Sequence, residues 1–160
     1  MLVEHPDGAI SLIKDWIEQK SISNCIKVDP TPDDTYFQFN GTDKTEIPFL
    51  IVQPKEWKKT ILILSEVTIT ANRIKSIETM KPKAKDEFLY NLYRDIAFLS
   101  APYAFGPLDK TGIPTSIQFQ KEICYDGFTE DRLNAAVRDV VECVLFVIWR
   151  IRNEFGEPKE

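Results

Sequence analysis

The chain is poor in the residues that most often build catalytic and metal centres. Its 160 residues include one histidine, His5, and three cysteines, Cys25, Cys124 and Cys143, each in a separate stretch. Zinc and related metals need several converging imidazole or thiolate ligands, so this ligand count argues against a metal site. A Ser–His or Cys–His pair would have to use His5, which has no packed element around it to hold the ring in place. The six glycines are dispersed, and Gly8, Gly41, Gly106, Gly112, Gly127 and Gly156 each fit a turn or a helix cap. Neither a phosphate-cradling loop nor a dinucleotide fingerprint is present.

Long apolar runs are also missing. The most apolar stretch, Val140 to Ile151, is too short to cross a bilayer and contains Glu142 and Arg150. The opening MLVEHPDGAI lacks the basic-then-apolar order of a secretory signal. An odd cysteine count without close pairs, in a chain read as cytoplasmic, implies free thiols; a Cys25–Cys124 bridge is the weaker alternative.

What is present is enough apolar material for a core: 43% of the residues are hydrophobic, and aromatics make up 11% of the chain. Twenty-five acidic against twenty basic residues leave a net charge of −5, which favours solubility and argues against nucleic acid as the main partner.

Periodicity orders the elements. Ala9, Ile10, Ile13, Trp16 and Ile17 recur at helical spacing behind Asp7, a candidate N-cap, and this first helix ends near Ser21 to Asn24. Cys25 to Val28 and Thr35 to Phe39 read as strands separated by the turn residues Pro30, Pro32, Asp33 and Asp34, and Asn40-Gly41 reads as a further turn. Ile47 to Val52 and Ile61 to Leu64 read as a hairpin joined by QPKEWKK, after which Ser65 to Thr70 becomes polar. Arg73, Lys75, Lys81, Lys83 and Lys85 mark a basic connection, read as solvated because no aromatics are interleaved for base stacking. Phe88, Leu89, Leu92, Ile96 and Leu99 stripe a second helix that starts at Pro82 and closes before Pro102. A hairpin follows, from Tyr103–Leu108 into a strand with Ile117, Phe119, Ile123 and Tyr125 on one face and Gln118, Gln120 and Glu122 on the other. Thr129 caps a long third helix that runs to about Phe155 and is stopped by Gly156 and Pro158. No internal repeat is evident.

The expected fold is one α+β domain over residues 1–160, with three helices on an antiparallel sheet of five or six strands. The element order is α-β-β-β-(β)-α-β-β-α. That order resembles the type III secretion chaperone-like fold, which includes the YbjN-like proteins and small prokaryotic families of unknown function. The stretches that carry the likeness are ISLIKDWIEQKSI, FLIVQPKEWKKTILIL and EICYDGFTEDRLNAAVRDVV. The resemblance implies a dimer that binds other proteins, with no catalysis and no cofactor.

Three groups remain as candidate sites. Asp33-Asp34 and Glu130-Asp131 could serve acid–base chemistry, but turn and helix-start chemistry accounts for both. Tyr125 with Asp126 and Gly127 is the most site-like group, although a structural strand terminus is the favoured reading. On the last helix, Leu145, Phe146 and Trp149 fall outside the broad apolar face, toward Arg138, Glu142 and Asn153. They are read as a protein interface, for a second copy or an unidentified protein partner, unless the hairpin Tyr103–Leu108 covers them. The function expected is a protein-interaction or chaperone-like module, a homodimer, without nucleic-acid or membrane partners. The alternative is a small-ligand binder or undetected enzyme using a cleft between sheet and helices. A flat apolar open sheet face favours the first, and a deep polar pocket the second.

Alkylation of the unfolded protein without reductant should modify all three cysteines; a single modified cysteine would reveal a bridge.

Overall fold

The computed structural model describes residues 3–22 and 24–157, so the expected helix stop at Pro158 lies outside the described residues. The chain runs α1 (Pro6–Glu18), β1 (Cys25–Lys27), β2 (Thr35–Thr42), β3 (Pro48–Pro54), β4 (Thr60–Thr68), α2 (Ala71–Glu78), α3 (Pro82–Ala97), β5 (Tyr103–Phe105), β6 (Ser116–Cys124) and α4 (Glu130–Phe155). The six strands form one antiparallel sheet in the order β1-β2-β3-β4-β6-β5.

Strand alternation decides which face is buried. Phe37, Phe39, Phe49, Ile51, Ile61, Ile63, Ile117 and Phe119 point to one side and are fully buried. Over them lies α4, which packs against β3, β4 and β6 through Leu133, Val140, Val144, Val147 and Ile151, while α1 leans on β2 and α3 on α4. The rings of Trp16 and Phe128, 5.2 Å apart, join α1 to the start of α4, and Phe88 and Phe155, 5.3 Å apart, join α3 to its end. Lys121 on β6 pairs with Asp139 on α4 at 3.1 Å.

Four readings of the sequence are corrected. The N-cap of α1 is His5, with Pro6 at the first helical position and Asp7 in the first turn; proline's missing N–H and fixed φ suit that place. The basic connection contains a fourth helix, α2, because Ile74, Ile77 and Met80 are set at three-residue spacing and pack into the core. Arg73 is not solvated: its guanidinium donates to the carbonyls of Phe155 and Gly156 at 3.3 and 2.6 Å, satisfying the C-terminus of α4. Finally, Asn40-Gly41 is no turn, for β2 runs through both to Thr42. Gly41 sits directly opposite Phe49, and a Cβ there would lie 2.2 Å from the ring, so the glycine makes room for an aromatic that covers it.

A short repeat also becomes visible. Asp43-Lys44-Thr45-Glu46-Ile47-Pro48 and Asp109-Lys110-Thr111-Gly112-Ile113-Pro114 share the pattern DKTxIP and fold alike. Asp43 Oδ1 accepts from the Thr45 N–H, the Thr45 hydroxyl and the Ile47 N–H, at 3.0, 2.6 and 3.0 Å. Asp109 Oδ1 accepts the same three donors of Thr111 and Ile113 at 3.0, 2.8 and 2.8 Å. The fourth residue is left-handed in both, Glu46 at φ 64° and Gly112 at φ 83°. Desolvation pushes the Asp109 carboxyl up, but the hydrogen bonds of Thr111 and Ile113 outweigh it and hold the group below its ordinary value.

Gly41→Ala should lower stability by about 1–3 kcal/mol in chemical denaturation, because the methyl group overlaps the Phe49 ring. The loss should be partly recovered by adding Phe49→Leu. Unchanged stability in the single variant would contradict the packing described.

Candidate functional site

The α4 patch is built differently from its sequence reading. Trp149 is 57% exposed, but Leu145 and Phe146 are half-buried and pack against the core. The cause is that α4 is flanked as well as backed. Cys143, Phe146 and Arg150 lie on one flank at i, i+3 and i+7, and that flank faces α3. There Cys143 Sγ is 3.8 Å from the Ser100 hydroxyl, and Arg150 reaches Asp95 at 3.4 Å. The hairpin from Tyr103 does not supply a ring to cover Trp149; the tryptophan's aromatic neighbour is Phe146 on its own helix, at 6.2 Å.

A larger exposed apolar surface lies elsewhere. Tyr90, Phe98, Tyr103, Phe105 and Leu108, from the outer side of α3 and the strand after it, are all exposed. Phe105 stacks on Tyr93 of α3 at 5.1 Å and on Tyr103 at 5.3 Å, so strand and helix present one aromatic surface. β5 is the outermost strand of the sheet, and only Ala104 turns its backbone toward β6. The flanking bonds, Gln120 N–H to Pro102 and Gly106 N–H to Ser116, fix that register. The N–H and C=O groups of Tyr103 and Phe105 therefore point outward, without partners among the described residues. Among the described residues, no helix is packed on the other face of the sheet. The cross-strand pairs Leu50–Leu64 and Val52–Leu62 form its apolar centre, and a shallow groove of about 300 Å³ runs beside them past Pro48, Glu66 and Gln118.

The polar candidates gather at one end of the sheet. Tyr125 opens a 3₁₀ turn (Tyr125–Gly127) and is buried, and its hydroxyl donates to Oε1 of the buried Gln53 on β3. Burial raises the Tyr125 hydroxyl above its ordinary pKa, with the Gln53 hydrogen bond opposing. Around this pair a cleft of about 320 Å³ is lined by Glu4, His5, Tyr36, Lys58 and Lys59. Tyr36 reaches it because β2 bulges there: Thr35 pairs with Pro54 and Phe37 with Gln53, leaving Tyr36 the extra residue. Asp126 and Cys124 line an adjoining groove.

The remaining candidates are structural. Asp33 and Asp34 occupy an exposed turn, and Glu130 and Asp131 sit in the first turn of α4 behind Thr129, whose hydroxyl accepts the Arg132 N–H at 3.3 Å. Among the described residues, no group of three or more His, Cys, Asp or Glu side chains is placed to hold a metal, and no helix is long and apolar enough to cross a membrane. Cys25, Cys124 and Cys143 are unpaired; burial pushes the Cys25 thiol up to about 11, against a backbone hydrogen bond from Ile26.

This arrangement is an α+β fold, one six-stranded antiparallel sheet with helices packed on it. With residues 9–151 matched, the chain belongs to the uncharacterized conserved protein family DUF2299. It is similar to the crystal structure of an uncharacterized protein from Methanothermobacter thermautotrophicus, at 20% identity and a TM-score of 0.79, over 91% of this chain and 98% of that one. It is also similar to a chain in the crystal structure of the ExsC-ExsE complex, at 9% identity and a TM-score of 0.55, over 92% and 95%. YbjN from E. coli aligns over 97% and 96% at 14% identity with a TM-score of 0.44, and the fold likeness rests on the other two. Among curated proteins, none matches the sequence.

Proposed function

We propose that the chain is a protein-binding, chaperone-like module of the cytoplasm that works as a homodimer and without catalysis. The observation that carries this reading is the exposed aromatic edge of β5 and α3. A free strand edge beside exposed aromatics is unfavourable in water and is a template for pairing with another chain. The edge is also self-complementary. An antiparallel pairing of β5 with β5 of a second copy, about a two-fold axis at Ala104, sets the outward backbone of Tyr103 against that of Phe105 in the other copy. Both hydrogen bonds close, and the aromatics meet across the strands. The Trp149 patch, with Leu145 and Phe146 supporting it, is then the surface for the second protein, since it lies on a different helix from the paired edge. ExsC, which shares the fold, is crystallised in complex with ExsE, and that supports partner binding as the work such a fold can do.

The small-ligand reading is favoured by one separate observation, the polar cleft at the sheet end, and does not compete for the same surface.

Sedimentation equilibrium tests the assignment of surfaces. The wild-type chain should sediment as a dimer at micromolar concentration. Tyr103→Lys with Phe105→Lys should give a folded monomer, whereas Trp149→Gln should leave the mass unchanged. A monomeric wild type would overturn the homodimer, and a monomer from Trp149→Gln alone would move the interface to α4.

A further inference from the structure

The cleft at the sheet end holds an unused buried donor. Gln53 is 1% exposed, and its Oε1 is taken by the Tyr125 hydroxyl. Its Nε2 has no hydrogen-bond partner among the described residues. Gln53 is among the residues that line the cleft. The other buried polar side chains are satisfied locally: the Ser65 hydroxyl donates to Pro48 O at 2.8 Å and the Thr35 hydroxyl to Pro32 O at 3.1 Å. A buried amide donor with no acceptor among the described residues is costly unless something in the cleft accepts from it.

We infer that this cleft binds a small oxyanion, a carboxylate or phosphate group carried by a small molecule. The groups converging there are mainly donors. Gln53 supplies two N–H bonds, Lys58 and Lys59 two ammonium groups, Tyr36 a hydroxyl, and α1 starts at the cleft wall with Pro6, so the positive end of its dipole lies there. Tyr125 fixes the amide orientation, because a glutamine whose oxygen accepts a hydroxyl must turn its nitrogen the other way. Lys59 is held in a left-handed backbone conformation, φ 62°, at the loop that brings both lysines to the rim. Acidic neighbours limit the charge the ligand carries. Glu4 lines the cleft and Asp7 acts electrostatically on Tyr125, so a singly charged group fits better than a polyphosphate. The cleft volume of about 320 Å³ suits a small ligand.

The side-chain amide of Gln53 reports binding directly in nitrogen–proton NMR spectra of the whole chain. Titration with sodium acetate and, separately, with inorganic phosphate should shift that amide along a saturating curve, while the exposed Asn153 amide on α4 should drift only with ionic strength. Saturation by acetate identifies a carboxylate ligand, and saturation by phosphate a phosphate-bearing one. The double variant Lys58→Ala, Lys59→Ala changes two exposed residues and should weaken the saturating anion roughly tenfold. Linear drift at Gln53 matching Asn153 with both anions, or an unchanged midpoint in the lysine variant, would overturn the site.

Discussion

The contact on which the rest of the structure depends is the apolar stripe of α4 laid across β4 and β6. Leu133, Val140, Val144, Val147 and Ile151 recur at helical spacing and meet strand residues that alternate at period two, so the two periodicities lock the layers together. At roughly 25 cal/mol per Å² of apolar surface, burying this stripe contributes strongly to stability. Its geometry also decides what stays bare. A helix layer can cover only one sheet face, and in an open sheet of this order the outermost strand has one unpaired side. The exposed aromatic edge and the open Leu50–Leu64 face follow from where α4 lies.

The ends of the sheet follow from the same packing. α4 begins beside Tyr125 and finishes beside Arg73, whose guanidinium closes the last carbonyls of the helix. At its start, the strand ends of β2, β3, β4 and β6 come together with the head of α1, and polar side chains collect where backbone pairing stops. Exposed aromatic and polar groups are therefore placed at edges and ends, while the buried layer between helix and sheet is occupied by packing.

Much of this was legible in the sequence, for particular reasons. The alternation of Ile117, Phe119 and Ile123 against Gln118, Gln120 and Glu122 gave β6 its two faces, and Thr129 with Gly156 bounded α4. The short helix α2 was hidden by the basic residues in and after it, although Ile74 and Ile77 carry its spacing. Gly41 was misread because a glycine beside asparagine signals a turn, and only the partner strand shows that Phe49 needs its space. The DKTxIP loops escaped because six residues repeated once, 66 positions apart (109 against 43), leave a weak signal until their hydrogen bonds coincide. Angle alone placed Phe146 outward on α4; whether a neighbouring helix covers that flank is a tertiary fact. The same holds for the cleft, since Gln53 and Tyr125 are 72 residues apart and meet only across the sheet.

Backbone hydrogen exchange across a range of protein concentrations tests the central claim most directly, that the bare β5 edge is a surface for pairing. Pairing with a second copy occupies the outward N–H groups of Tyr103 and Phe105, so their exchange should slow as concentration rises, with Ala104 already slow from its bonds to β6. Rapid exchange at Tyr103 and Phe105 at every concentration would contradict the account.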